Sequence, residues 1–457
     1  MLRKFIQCLL LQIICILTLF SCNSTNVDDQ LPNIVLLIGD DHGYPYFGFM
    51  GSEYVKTPNM DKLASNGTVF RNGYVPDNHC RPSLATLVTG ILPINHRMEV
   101  EKMILKNGIA DDSEKIEFSH HAMKYFITLP KLLKKKKYTS FQGGKWWEFH
   151  YENGGFDKGM ATGWTREERN SKNWFRKFMG GNGLELGRAT MEPVYDFINQ
   201  NKDDPFFLWY APELPHYPFD APEKYYNIYK NEDMTESAKR YYANCTWFDD
   251  GVGELVKHLK RIGEYENTLF IYVNDNGWEQ NPSQDFWDDP MRSHNGGDKG
   301  KISIFDQSFR TPIIFAWERK IAKNKYLEEF IHSADIPATI LDYLDLEKPT
   351  NYYGKSYKPL IDGRSFSSRK KIIGNITTTR SFDDMMGKPT EGYWLRNENW
   401  FFQWNATKNE KKLFNMKTDH NNDFNIAESN PELVRSFTAD IIQWKNGRKV
   451  SDELWRR

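Results

Sequence analysis

Cys80-Arg81-Pro82-Ser83, followed by Thr89-Gly90, sets a single thiol against a short helix bounded by a proline and a glycine. Proline suits a first helical turn, where its missing N–H costs nothing, and glycine suits a left-handed exit. Cys80 is therefore expected just ahead of the helix, over unsatisfied N–H groups that favour an anion. Two other clusters have the chemistry of a hard-cation site. Asp40-Asp41 and Asp275-Asn276 offer oxygen ligands, which suit Ca²⁺ or Mg²⁺ better than Zn²⁺. Taken singly, each has a plainer reading: an Asp pair after a strand is often a cap, and Asn274-Asp275-Asn276-Gly277 is a good turn sequence.

The elements that must position these residues follow from hydrophobic pattern. Asn33 to Gly39 is a short apolar, β-branched run, as expected of a strand buried on both faces of a parallel sheet. Asp40 and Asp41 stand where it ends, and open α/β sheets bind ligands beyond the carboxyl ends of their strands. Phe206 to Tyr210, Thr268 to Val273 and Pro312 to Ala316 read as further strands. Thr57 to Gly67 and Ser333 to Leu344 read as helices, so strands alternate with helices to about residue 365. Beyond that, Gly392 to Trp404 interleaves aromatic and polar residues, and Lys411 to Met416 adds another strand-like piece. Pro431 to Trp444 is an amphipathic helix. This tail predicts a small antiparallel sheet with one helix.

Composition sets limits. The 457 residues suffice for one large domain and a smaller one. Lysine and arginine number 60 against 61 acidic residues, which removes any electrostatic reason to expect a nucleic-acid partner. The Lys134 to Lys137 run reads as a solvated helix end. Tryptophans in loops, such as Trp146, Trp147, Trp278 and Trp287, are candidates for stacking on sugar faces. At the N-terminus, Arg3 and Lys4 precede an apolar run to Phe20, then Ser21-Cys22. The pattern is that of a secretory signal ending in a bacterial lipobox, with cleavage before Cys22 and lipidation of its thiol. The expected organisation is a signal over 1–22, a tether over 23–32, a catalytic α/β domain over 33–365 and a C-terminal α+β subdomain over 366–457. The protein would be exported and held by its lipid on a bacterial membrane, the outer membrane, on its periplasmic or surface side. Only Cys80 and Cys245 remain in the folded part, too few for a disulfide framework.

The joint order of these motifs carries more than any one of them. Asp40-Asp41, Cys80-x-Pro82-Ser83, Gly144-Lys145-Trp146, Pro215-His216-x-Pro218, Asp275-Asn276-Gly277 and Lys301 ahead of Arg310-x-Pro312 together closely resemble the formylglycine-dependent sulfatases of the alkaline phosphatase superfamily. The resemblance implies a large mixed, mostly parallel sheet flanked by helices, with a smaller antiparallel sheet plus helix. It further implies that a separate maturation enzyme oxidises Cys80 to Cα-formylglycine (3-oxoalanine), whose hydrate attacks sulfur with Asp275 as base. By the same resemblance Asp40, Asp41, Asp275 and Asn276, with the modified Cys80, hold one Ca²⁺. Lys145 contacts sulfate or the formylglycine, His216 protonates the leaving oxygen, and Lys301 (otherwise Lys299) binds sulfate.

Two positions depart from the family pattern. Leu84 stands where an arginine is usual, leaving Arg81 or a lysine to supply positive charge, and Trp147 replaces a histidine that His150 need not restore. The implied substrate is a sulfated oligo- or polysaccharide, algal (ulvan, carrageenan) or glycosaminoglycan. Specificity is expected from the loops Trp146 to Tyr151, Trp278 to His294 and Arg380 to Met386, with Arg292 and His294 as contacts to a uronate or second sulfate. Two other readings stand beside this one. A phosphatase or phosphodiesterase of the same superfamily would use a Ser or Thr and two Zn²⁺; a sulfated-glycan-binding lipoprotein would use the fold without turnover.

Overall fold

The computed structural model describes residues 30–165, 168, 174–376 and 391–447. Among the described residues thirteen strands make two sheets. β1 (Asn33–Gly39), β2 (Thr68–Tyr74), β3 (Thr139–Gly144), β4 (Lys158–Gly159), β5 (Phe206–Ala211), β6 (Thr268–Asn274), β7 (Arg310–Ala316), β8 (Lys325–Leu327) and β9 (Ile331–His332) form the large one. Its order is β4-β3-β5-β1-β6-β7-β2-β8, with β9 also on β2. β10 (Lys371–Ile376), β11 (Gly392–Asn397), β12 (Trp400–Asn405) and β13 (Glu410–Asn415) form an antiparallel meander.

Strand direction decides where chemistry can collect. β3, β5, β1 and β6 pair in parallel, so their carboxyl ends share one edge of the sheet. β7 runs antiparallel to both β6 and β2. The carboxyl end of β2 therefore lies at the same edge, and so does the segment entering β7. That edge receives Asp40, Lys145, His216, Asp275, the turn to Cys80, and Lys301 from before β7. A single reversed strand brings the last of these in.

The sheet is stabilised from both faces. Ile34, Val35, Leu36, Leu37 and Ile38 are all buried, which explains a continuous apolar run rather than an alternating one. On one face, Val35, Leu37, Leu208 and Phe270 pack against Phe248, Val252, Leu255 and Leu259 of the helix Glu236–Arg261. In the meander, Ile373, Leu395, Phe402 and Leu413 pack on Phe437 and Ile441 of the helix Pro431–Asn446. Among the described residues no helix is long and apolar enough to cross a membrane.

The observed elements fall within a residue or two of most expected ends. Lys134–Lys136 is a short 3-10 turn at a helix end, as the charge run suggests. Six strands are not separately signalled: β4, β8 and β9 are only two or three residues long, β10 falls ahead of the tail segments read as strands, and in β2 (TVFRNGY) and β3 (TSFQGG) polar and glycine residues break the apolar pattern. β3 ends on glycine for a steric reason. Gly144 has φ +91°, and a Cβ there would lie 2.0 Å from the Ala211 carbonyl oxygen. Gly144→Ala is expected to destabilise the fold by about 3 kcal/mol or more, seen as a lower midpoint in urea. An unchanged midpoint would contradict the close approach of β3 to β5.

Candidate active site

Asp41 follows β1 with φ +58°, a left-handed turn that aspartate tolerates. The turn aims its N–H at Asp275 Oδ1, 3.1 Å away, and so ties the end of β1 to the end of β6. The buried Tyr241 hydroxyl donates to the Asp41 carbonyl at 2.9 Å and accepts from the Gly43 N–H at 3.0 Å. Asn276 Nδ2 donates to Asp41 Oδ1 at 2.7 Å. All four residues proposed for metal, Asp40, Asp41, Asp275 and Asn276, are buried at this junction.

Two lysines neutralise the carboxylates. Lys145, carried on the end of β3, places Nζ 2.6 and 2.7 Å from the Asp40 oxygens and 3.9 Å from Asp275 Oδ2. Lys301 Nζ lies 2.8 Å from Asp41 Oδ1 and 3.0 Å from Oδ2. Burial alone raises the Asp40 pKa, but Lys145, then His216 and Lys301, outweigh it and hold it at about 2. Asp275 goes the other way: burial and then the charge of Asp40 push it well above the carboxylate range despite Lys145. The fallback Lys299 is occupied elsewhere, with Asn421 and Asp423.

The oxygens left over describe a cation site. Asp275 Oδ2 and Asn276 Oδ1 are buried without a hydrogen-bond partner. Orphaned buried oxygens are costly, and a hard divalent cation would satisfy them. Asp40, Asp41 and His216 also each present one ligand atom, all within 4.8 Å of one another. The residues present fit Ca²⁺.

Cys80 is the first residue of the helix Cys80–Thr89, not a residue ahead of it, because the helix starts two residues before Pro82. Gly90 makes the expected left-handed exit at φ +66°. The thiol is buried, and burial first, with Asp275 and Asp40 adding to it, raises its pKa against the pull of Lys145 and Lys301. Cys80 and Cys245 are both free.

His216 sits on a loop whose carbonyls are held from two sides. Asn244 Nδ2 lies 3.2, 3.4 and 3.1 Å from the carbonyl oxygens of Pro215, His216 and Pro218. Arg188 Nη2 donates to the last two at 2.8 and 3.2 Å. The ring's Nδ1 faces the Tyr217 carbonyl, so it carries the proton, and Nε2 faces Asp41 Oδ2 at 3.5 Å. Burial lowers its pKa to about 4, although Asp40 and Asp41 pull upward. Nearby, burial pushes Glu213 up to about 7 against the charge of Arg188.

Several expectations are corrected here. Arg81 does not stand in for the arginine missing at Leu84: its guanidinium is bidentate on Glu148, at 2.9 and 3.1 Å, and bonds the Ser119 carbonyl. The charges of Lys145 and Lys301 pull the Cys80 pKa down, while Arg81, held by Glu148, interacts with Cys80 more weakly than with Glu148. His150 does not replace the histidine absent at Trp147 either, since its Nδ1 caps the turn Tyr151–Gly154. Trp146 and Trp278 are core residues, the first against Trp209 and Phe156, the second stacked on Tyr241. Arg292 is paired with Asp298 at 2.7 Å, whereas the ring of His294 lies 3.9 Å from that of Tyr217, beside His216. Arg380 to Met386 and Cys22 lie outside the described residues.

Asn244 and Arg188 escaped notice in the sequence. The available signal was an amide inside the buried stripe Tyr241-Tyr242-Ala243-Asn244-Cys245 of a helix, a position polar groups occupy only with partners. Asn244→Ala is expected to cost about 1–3 kcal/mol by leaving these carbonyls a donor short. A drop in Tm together with a lower kcat checks this; a kcat loss without a Tm change would point away from loop support.

Comparison with known proteins agrees with this geometry. Residues 32–346 match the sulfatase family profile, and residues 297–434 match the profile of the N-sulphoglucosamine sulphohydrolase C-terminal region. An arylsulfatase of Clostridium perfringens is 24% identical over 92% of this chain and 95% of that enzyme. The N-acetylgalactosamine-6-sulfatase of Rattus norvegicus is 28% identical over 70% of this chain, which spans 64% of that enzyme's length. A solved structure of BT4656 in complex with its substrate D-glucosamine-2-N,6-O-disulfate superposes with a TM-score of 0.70 at 18% identity, covering 94% of this chain and all of that one. At that identity the likeness shows a shared alkaline-phosphatase-like fold.

Proposed function

The chain belongs to the sulfatase family, and from that premise we propose that it hydrolyses sulfate esters on a sulfated carbohydrate, with Cys80 converted to Cα-formylglycine and one Ca²⁺ bound. One observation carries the reading. The nucleophile position, four oxygen-bearing side chains and two buried lysines converge on the one sheet edge, with two of the oxygens unsatisfied. When present, the formylglycine supplies a hydrated aldehyde as nucleophile and the cation neutralises sulfate oxygens beside it.

The chain's own groups have separable tasks. Lys145 and Lys301 supply fixed positive charge where a sulfate lies, in a buried setting where such charge acts strongly. Asp275, with Lys145 Nζ 3.9 Å from its Oδ2, is placed to take the nucleophile's proton once a bound cation would hold it ionised. His216, neutral and with Nε2 turned into the pocket, is placed to carry a proton to the leaving sugar oxygen; an anionic sulfate ester bound beside it raises its pKa toward that task. Asp40, Asp41, Asp275 and Asn276 would hold the cation.

The relatives named above include enzymes of sulfated hexosamines, which supports a glycan sulfate as substrate class. The basic N-terminus, apolar run and Cys22 support export and lipid anchoring to a bacterial membrane, with the maturation enzyme as an earlier partner. Glycan binding without turnover is the second reading, favoured by the apolar Leu84, which is buried in the helix of Cys80.

Two experiments test the reading. Protein co-expressed with a formylglycine-generating enzyme should show the Cys80 peptide with CH₂SH replaced by CHO, and should release sulfate from at least one of a panel of carrageenan, ulvan and glycosaminoglycan oligosaccharides. An intact thiol with no release on any of them would leave only the binding reading. His216→Ala should lower kcat on sugar sulfates by about 10²–10⁴-fold, and much less on an aryl sulfate whose phenolate leaves unaided. Calcium added to chelated protein at 100 times its Kd should stabilise it by about 2.7 kcal/mol, an effect absent in Asp275→Asn/Asp41→Asn; equal stabilisation of that variant would remove these ligands from the site.

A further inference from the structure

Trp147 leaves a donor unused beside the reacting centre. Its side chain is nine-tenths buried, and among the described residues its indole Nε1 has no hydrogen-bond partner. Indole N–H donates only, so nothing but an acceptor can satisfy it, and a buried orphan donor costs free energy unless something arrives to meet it. Its neighbours locate it. The ring centroid lies 5.5 Å from Lys145 Nζ, the ammonium that sits on Asp40.

The same ring opens an aromatic wall. Trp147 meets Phe178 edge-on at 5.0 Å and Phe175 at 6.1 Å. Phe178 lies 5.9 Å under the guanidinium of Arg81, the residue after Cys80. Phe175, at the outer end, is 55% exposed, although a large ring gains by burial. The wall thus starts between the neighbours of Cys80 and Asp40 and runs outward to solvent. Aromatic faces with a polar edge suit a ligand that is apolar on its C–H face and rich in oxygen at its rim. A sugar ring is such a ligand.

We propose that Trp147, with Phe178 and Phe175, forms the subsite for the sugar ring bearing the scissile sulfate, and that the Trp147 indole N–H hydrogen-bonds an oxygen of that sugar. Trp147 is then a specificity-determining residue: where the family pattern places a histidine, this chain discriminates between sulfated sugars and sulfates that lack one. The inference rests on the sulfatase reading, but its binding arm does not need turnover.

The test uses the full chain in two forms. In the Cys80→Ala form, calorimetric titration with κ-carrageenan and chondroitin 6-sulfate oligosaccharides compares Trp147 with Trp147→Phe, which keeps an aromatic six-membered ring and removes the pyrrole ring with its N–H. In the matured form, KM and kcat are compared on the same oligosaccharides and on 4-nitrocatechol sulfate. The expected result is a Kd and KM for the better oligosaccharide raised about tenfold in Trp147→Phe, the size of one lost hydrogen bond, with the ratio to the aryl sulfate KM raised alike. Phe175→Ala, at an exposed position where folding is not at stake, should shift that ratio in the same direction. Equal losses on sugar and aryl sulfates would make Trp147 a packing residue and overturn the proposal, as would an unchanged ratio in both variants. Oligosaccharide binding that weakens in Trp147→Phe, in a protein that turns nothing over, would keep the subsite and overturn the sulfatase reading instead. No binding of either oligosaccharide and no turnover would overturn both.

Discussion

Charge buried away from water must bring its own compensation, and that requirement governs this molecule. Several kcal/mol per ion are lost on burial, recovered only by close pairing and full hydrogen bonding. Here Asp40 and Asp41 are deep in the fold, each matched by one buried lysine from a different strand end. The matching is incomplete: Lys145 comes only within 3.9 Å of Asp275, and burial, then the charge of Asp40, raises the Asp275 pKa. Two ammonium groups face three carboxyl groups, so one of the three, Asp275, is left without a close cation of its own. On the proposed reading a bound cation would fill that gap beside the anionic ester, which is a form of preorganisation.

The large sheet exists in this arrangement because the charges must converge. Parallel β3, β5, β1 and β6 deliver Lys145, His216, Asp40 and Asp275 to one edge, and antiparallel β7 delivers Lys301 from the opposite chain direction. An all-parallel sheet would have placed the approach to the last strand at the far edge. Small departures from regularity then set the final geometry, at Asp41 in its left-handed turn and at Gly144 against the Ala211 carbonyl. Support for His216 comes from Arg188 and Asn244, which bond carbonyls and leave its ring free.

Legibility in the sequence followed range. β1, β5, β6 and the helices Pro58–Ser65, Asp335–Tyr343 and Pro431–Asn446 were readable because their hydrophobic pattern is local, whereas the long helix Glu236–Arg261 was not read; Asp40, Lys145, His216, Asp275 and Lys301 were readable because motif order is a property of the chain. Their pairing was not. That Lys145 would neutralise Asp40, across 105 residues, or that Arg81 would be spent on Glu148 instead of the nucleophile, depends on which strands neighbour one another. The tryptophans make the same point. Trp146, Trp147 and Trp278 lie in similar loop-like stretches, yet two are core and one is beside the site. Only the third dimension separates them.

The two departures from the family pattern have opposite physical meanings. Leu84 subtracts a cation and adds apolar surface to the helix of Cys80, where Lys145 and Lys301 remain as positive charges acting on that residue. Loss of charge at Leu84 therefore leaves a pocket whose field depends more heavily on those two lysines than the usual arrangement would. Trp147 instead trades a titratable ring for one that cannot change charge and can donate from only one atom. Such a replacement gives up adjustable proton chemistry next to Lys145 and gains a fixed donor on a broad apolar face. On the proposed reading Asp275 and His216 still carry the proton chemistry, and what the exchange would alter is the shape and polarity presented to the group carrying the sulfate.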